Sequence, residues 1–231
     1  MIVTLEQRIA DIQRDVANAA EAAGRIPSGI TIVAVSKTFP REDVDAAYAA
    51  GLRVFGENRV QEATSKFNPP LPSDASVHLI GQLQTNKVKQ ALQVADCIES
   101  VDRSSLIDVL EKEAAKLNRI VSVLVQVNIA CEDQKSGCAS EEAEMLVERI
   151  RSASHLRCDG FMTIAPLVAD PELTRPTFAG LRELRDRLGG PSEFPILSMG
   201  MSNDFEIAIA EGSTHLRLGR ALFGHRQTSN M

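Results

Sequence analysis

The sequence predicts an α/β fold, a (β/α)8 TIM-type barrel in a single domain, with an N-terminal helix before strand one. Three observations lead there. Eight short apolar runs recur along the chain, a helical pattern separates each from the next, and 231 residues is more than one average domain but short of two. A closed barrel is the common solution for this alternation, and a doubly wound open sheet is the alternative. No linker and no low-complexity segment divides the chain, so the domain is expected to span 1–231.

Leu5, Ile9, Ile12, Val16 and Ala19 recur at helical spacing and predict the opening helix, which Gly24 and Pro27 end. ITIVAVS (30–36) is a continuous β-branched run, the mark of a strand buried on both faces. A helix at 41–50, the strand LRVFG and a helix from Asn58 to Phe67 follow. Pro69, Pro70 and Pro72 form a stiff loop before the strand VHLIG (77–81). Next come a helix near 85–94, the strand DCIES (96–100), and a helix carrying Leu106, Ile107, Leu110, Ala114 and Leu117. VSVLVQVNI (121–129) is the most emphatic strand, and the polar loop CEDQKSGCAS leads to a helix with Ala143, Leu146, Val147 and Ile150. LRCDGFM (156–162) precedes a helix with Phe178, Leu181, Leu184 and Leu188. PILSMG (195–200), a short helix near 203–210, THLRLG (214–219) and a terminal helical turn complete the series.

Composition narrows the function. Hydrophobic residues are 44% and charged residues 24%, as in a soluble globular protein. Lys and Arg total 25 against 31 Asp and Glu, and the aromatic set is eight Phe, one Tyr and no Trp. Nucleic acid is therefore not an expected partner. The cysteines (Cys97, Cys131, Cys138, Cys158) and histidines (His78, His155, His215, His225) are dispersed, which argues against a zinc site or a disulfide framework. The N-terminus has no signal-peptide signature and every apolar stretch is strand-sized, so no membrane is expected and the cytoplasm is the expected location.

In such barrels chemistry sits at the C-terminal ends of the strands, often with a phosphate site after strands seven and eight. Strand one ends AVSKT, placing Lys37 at the mouth on the side shared by Val33 and Val35. A lysine there is either an imine-forming amine of lowered pKa or an ordinary loop lysine. The strand-seven exit SMGMSND has Gly200 for a bend and Ser202 as a helix N-cap, with freed N–H groups for an anion. Strand eight exits as LRLGRALFG, with Arg217 and Gly219 on one side. Lys37 would stand across from these two turns. A lysine beside a phosphate cup suggests pyridoxal 5′-phosphate, and equally a Schiff-base aldolase acting on a sugar phosphate. Spacing does not choose between them.

AVSKTFP, FGENRVQE, HLIGQLQTNK, GFMTIAP, SMGMSNDFEIAI and STHLRLGRALFG, in that order over nearly the whole chain, resemble the pyridoxal phosphate homeostasis proteins. The fold of that family is similar to the N-terminal barrel of alanine racemase. The resemblance implies that Lys37 holds pyridoxal phosphate as an internal aldimine and that Asn58 lines the site. It also implies that Ser202 and Gly219 bind the phosphate and that Arg217 faces the pyridine nitrogen. Many members carry Thr where this chain has Arg220, so only the backbone N–H there is equivalent. A guanidinium beside the pyridine nitrogen disfavours a protonated ring, which weakens the ring as an electron sink.

The expected function is therefore a non-catalytic carrier that keeps free pyridoxal phosphate low, with apoenzymes as possible recipients. The alternative is an amino-acid racemase of weak one-base activity. Two-base racemisation commonly uses Lys and Tyr on opposite faces of the ring, and the lone Tyr48 falls in the helix after strand one. The chain stops shortly after ALFGHR, so no second domain is expected and a monomer is the favoured state. Other candidates carry blander readings. Asn58 doubles as the N-cap of its helix, Glu57 is a surface carboxylate or a general base, His78 and His215 pack within strands, Phe161 and Met162 are core, and Asn86, Lys87 and Lys135 are solvated.

Overall fold

Helices and strands alternate through a computed structural model that describes residues 3–132, 134 and 136–224. Lys135 and His225 lie outside the described residues. Helix α1 (Leu5–Ala22) is capped by Thr4, whose hydroxyl accepts the Gln7 N–H at 3.2 Å. The strands are β1 (Thr31–Val35), β2 (Val54–Glu57), β3 (Ser76–Leu79) and β4 (Cys97–Val101), then β5 (Val121–Gln126), β6 (Leu156–Met162), β7 (Ile196–Ser198) and β8 (His215–Leu218). Between them run α2 (Arg41–Ala49), α3 (Val60–Lys66), α4 (Val88–Ala91), α5 (Ser104–Lys116), α6 (Ala143–Arg151), α7 (Arg175–Leu188) and α8 (Phe205–Ala210), and α9 (Arg220–Phe223) follows β8. The strands pair in sequence order and β8 pairs back with β1, so the sheet is a closed parallel barrel rather than an open one. Among the described residues no helix is long and apolar enough to cross a membrane.

Two sequence expectations shift in detail. The helix after β3 is short, a 3₁₀ turn (Thr85–Lys87) running into one turn of α4. Helix α5 ends at Lys116, leaving Leu117 half exposed beyond its apolar face.

Strand alternation sorts the buried side chains into two layers. Ala34, Phe55, Val77, Leu79, Ile98, Val123, Phe161 and Leu197 pack outward against the helices in one continuous core. The lower barrel interior holds a separate small cluster of Cys97, Leu124 and Met162, with Ile196 packed against it. Above it the interior is polar. His78, Glu99, Ser198 and Arg217 are all buried there, where such barrels ordinarily stack branched aliphatic residues. That substitution of polar for apolar filling marks the functional end.

Candidate functional site

A cavity of about 310 Å³ opens at the C-terminal ends of the strands, within the range of ligand pockets (~300–1,000 Å³). Lys37, Asn58, Ser202, Arg217 and Gly219 all line it, together with Arg220. A second cavity shares Lys37, Gly219 and Arg220 and extends over Thr38 and Phe39.

Lys37 reaches the first cavity because alternation from Val33 and Val35 turns it inward. Space for those two valines comes from β2, where a Cβ at Gly56 would lie 3.0 Å from Val33 Cγ1. The Lys37 amine has no hydrogen-bond or ion-pair partner among the described residues. The next residue, Thr38, adopts φ 69°, a left-handed conformation uncommon for a β-branched side chain. Asn58 directly follows β2, and the chain passes so close to β3 that a Cβ at Gly81 would lie 2.1 Å from Asn58 O. Arg59, not Asn58, occupies the N-cap position of α3, so the expected capping role is absent and the amide side chain is left for the cavity.

The β7 exit also departs from expectation. Gly200 takes φ 94°, and a Cβ there would press to 2.5 Å from Ala208 Cβ, so the bend requires glycine. Ser202 does not cap α8. Asp204 stands at that N-cap position, and its carboxylate accepts the Met201 N–H at 2.6 Å. The Ser202 hydroxyl instead accepts the Ala221 N–H at 3.4 Å, tying the β7 turn to the turn after β8. Burial raises the Asp204 pKa, against the Met201 hydrogen bond and the charge of Arg217.

Arg217 lies deeper, opposite Val33 in the register, and is buried. Its Nη1 donates to Ser198 Oγ at 2.8 Å and its Nη2 to Thr163 O at 2.7 Å. Ser198 in turn donates to Glu99 Oε2 at 2.6 Å, and His78 Nδ1 lies 2.6 Å from Glu99 Oε1. His78 stacks on His215 with ring centroids 6.0 Å apart. Burial alone would raise the Glu99 pKa. The hydrogen bond and charge of His78, the charge of Arg217 and the Ser198 hydrogen bond outweigh it and hold the carboxyl at about 2. Burial lowers the His215 pKa to about 4, and lowers that of Arg217 against the charges of Glu99 and Asp204. The guanidinium therefore sits in a fixed orientation with N–H groups to spare.

Glu99 and Ser198 were missed by sequence reasoning, although a glutamate in mid-strand with buried neighbours on both sides was a signal. Ile80, Ile164, Pro166, Leu167 and Val168 form an apolar wall of the cavity that motif reading did not single out. Glu57 is neither a surface carboxylate nor a base facing the cavity. It is fully buried on the outer side of the barrel, paired with Lys66 at 2.5 Å. Phe161 and Met162 are core as expected, and Asn86 is exposed. Tyr48 is turned to the outside of the barrel, its hydroxyl bonded to Asp74 at 2.6 Å and Arg53 lying over its ring.

The alanine racemase N-terminal domain family matches residues 10–227. A pyridoxal phosphate homeostasis protein of Aquifex aeolicus is 41% identical over 96% of this chain and 98% of its own length. This chain belongs to the pyridoxal phosphate homeostasis protein family. Among solved structures of similar fold, PipY of Synechococcus elongatus PCC7942 with PLP bound is 33% identical, covers 96% of this chain and 100% of its own, and superimposes with a TM-score of 0.81. The alanine racemase of Clostridium difficile 630 in complex with cycloserine shares the fold at 14% identity and a TM-score of 0.73. It covers 95% of this chain, which spans 61% of the racemase chain. What this chain and the racemase hold in common is thus the barrel fold.

Proposed function

We propose that this chain binds pyridoxal 5′-phosphate and helps to hold the free cofactor at a low level, without catalysis of its own. The observation that carries the reading is the Lys37 amine, without a partner among the described residues, in a cavity shared with Arg217, Asn58, Ser202 and Gly219. Support comes also from the family and from the PLP-bound relative. The donor set fits the group. The cofactor supplies an aldehyde, and Lys37 Nζ would condense with its carbon, releasing one water. Ser202 and the backbone at Gly219 would take the phosphate, where among the described residues no glutamate or aspartate but Asp204 lines the cavity. Arg217, fixed by Ser198 and Thr163, would face the pyridine nitrogen and discourage its protonation. Asn58 would hydrogen-bond beside the ring.

In this reading residues 1–231 form one binding domain that acts as a monomer in the cytoplasm and can pass the cofactor to apoenzymes. The second reading, a racemase of weak one-base activity, rests on Lys37 alone. The outward position of Tyr48 removes this chain's only tyrosine as a partner base.

Titration of purified protein with pyridoxal phosphate tests the proposal. The expected result is a yellow absorbance that saturates at one equivalent per chain, with no racemisation of a panel of amino acids above that of free cofactor. Absence of saturable uptake would overturn the binding reading. Turnover of any one amino acid that is lost in Lys37→Ala would overturn the non-catalytic part.

A further inference from the structure

Among the described residues no hydrogen bond or ion pair orients the Lys37 amine, yet both of its chain neighbours are held from behind by one helix. Ser36 and Glu57 alternate with inward-facing Val35 and Gly56, so both point away from the barrel interior toward α3. There the Lys66 ammonium, its side chain only 6% exposed, donates to Glu57 Oε1 at 2.5 Å, to Ser36 O at 2.7 Å and to Glu62 Oε1 at 3.0 Å. Those three bonds match the three donors an ammonium has. Ser36 Oγ donates to the same Glu57 oxygen at 2.7 Å. Glu62 also accepts the Thr38 N–H, the amide of the residue in the left-handed conformation. Arg41 completes the anchor by donating to Lys66 O at 3.1 Å.

We propose that Glu57, Lys66 and Glu62 are positioning residues for Lys37, a clamp behind the barrel wall that fixes the backbone of residues 36–38 and so aims the amine into the cavity. This rests on Lys37 being the functional amine. The clamp itself touches nothing in the cavity. Two features set it apart from a plain surface ion pair. Glu57 is fully buried with no hydrogen-bond partner for its Oε2 among the described residues, and the acceptor of the Thr38 amide is a side chain rather than backbone. A buried charge pair with an idle oxygen adds little to the fold compared with an apolar pair of the same shape, which points to a role in specifying local geometry.

The test uses the full chain and two readouts. Trace acylation of the cofactor-free protein, followed by peptide mapping, measures the reactivity of each lysine. The rate of pyridoxal phosphate uptake is measured in parallel. Lys66→Met is expected to raise Lys37 acylation at least threefold as the amine swings toward solvent, leaving Lys87, Lys89, Lys112 and Lys116 unchanged, and to slow uptake at least fivefold. Lys66→Arg should recover part of both. Should Lys66→Met fail to fold, Glu62→Gln at the more exposed end and Ser36→Ala keep the question open to the same two readouts. Folded variants whose Lys37 reactivity stays within 1.5-fold (about a quarter of a kcal/mol, with RT ln 10 near 1.4) of the parent would overturn the clamp. A parent that takes up no cofactor while the acylation change still occurs would instead sink the binding proposal and leave the clamp standing.

Discussion

Two glutamates, Glu57 at the end of β2 and Glu99 in the middle of β4, are both wholly shielded from solvent, and they behave in opposite ways. Glu99 faces the barrel interior, where His78 meets one oxygen and Ser198 the other, with Arg217 one bond further on. Its pKa falls to about 2. Glu57 faces the helices, where Ser36 and Lys66 share a single oxygen and the other has no partner among the described residues. Burial wins there, and its pKa rises despite those two hydrogen bonds and the charge of Lys66. Neither is exposed to solvent, and Glu99 is the more deeply buried of the two. What differs is whether each oxygen is met, and that decides which protonation state the fold favours.

The largest effect should follow from breaking the interior network. Glu99→Ala leaves the buried Arg217 guanidinium with only Asp204 to balance it and is expected to lose about 3–5 kcal/mol in chemical denaturation. Glu57→Ala leaves Lys66 with Glu62 and the Ser36 carbonyl, so a loss of about 1–3 kcal/mol is expected. Equal losses, or a larger one at Glu57, would remove the distinction drawn between them.

The pH dependence sharpens it. Because the folded-state pKa of Glu99 is depressed, its contribution is complete above the ordinary value of 4.5 and is lost as pH falls toward about 2. On that scale the loss is about 3 kcal/mol. Glu57, raised, has the opposite sign, since its folded form is favoured at low pH and that advantage disappears as pH rises through its folded value. His215, depressed from 6.5 to about 4, adds a decline as pH falls between those values. Urea midpoints from pH 2 to 7 should therefore show an acid decline that Glu99→Gln flattens below pH 4.5 and Glu57→Gln steepens. The same response in both variants would contradict the assignment.

Much of this was legible in the sequence. The β-branched runs and helical spacings located all eight strands, because a strand buried on both faces leaves a continuous apolar signature. Lys37, Ser202, Arg217 and Gly219 at the mouth were legible because strand ends and glycine turns mark them, whereas Asn58 entered only through the family resemblance. The buried polar layer was not. Glu99 and Ser198 sit inside runs that read as strands, and only the closure of the sheet reveals that they face Arg217 across the interior. Glu57 was misplaced for a similar reason. Its sequence neighbour Asn58 lines the cavity, but one residue of alternation sends Glu57 to the other side of the wall. Ser202 and Asn58 looked like caps because their residue types favour caps, yet the neighbouring Asp204 and Arg59 hold those positions.

The smallest effect expected is at Tyr48. Its hydroxyl bonds Asp74 on the outer surface, so Tyr48→Phe should change stability by no more than about 1 kcal/mol and leave cofactor uptake unaltered. A loss of uptake in that variant would place tyrosine chemistry back in the site.

Cofactor binding in this barrel rests on one amine, that of Lys37. Borohydride reduction of the protein after loading with pyridoxal phosphate, followed by peptide mapping, examines it directly. The label is predicted on the peptide carrying Lys37 and nowhere else, and Lys37→Ala should take none. A label on another lysine, or an unlabelled Lys37 in protein that has bound the cofactor, would contradict the central claim.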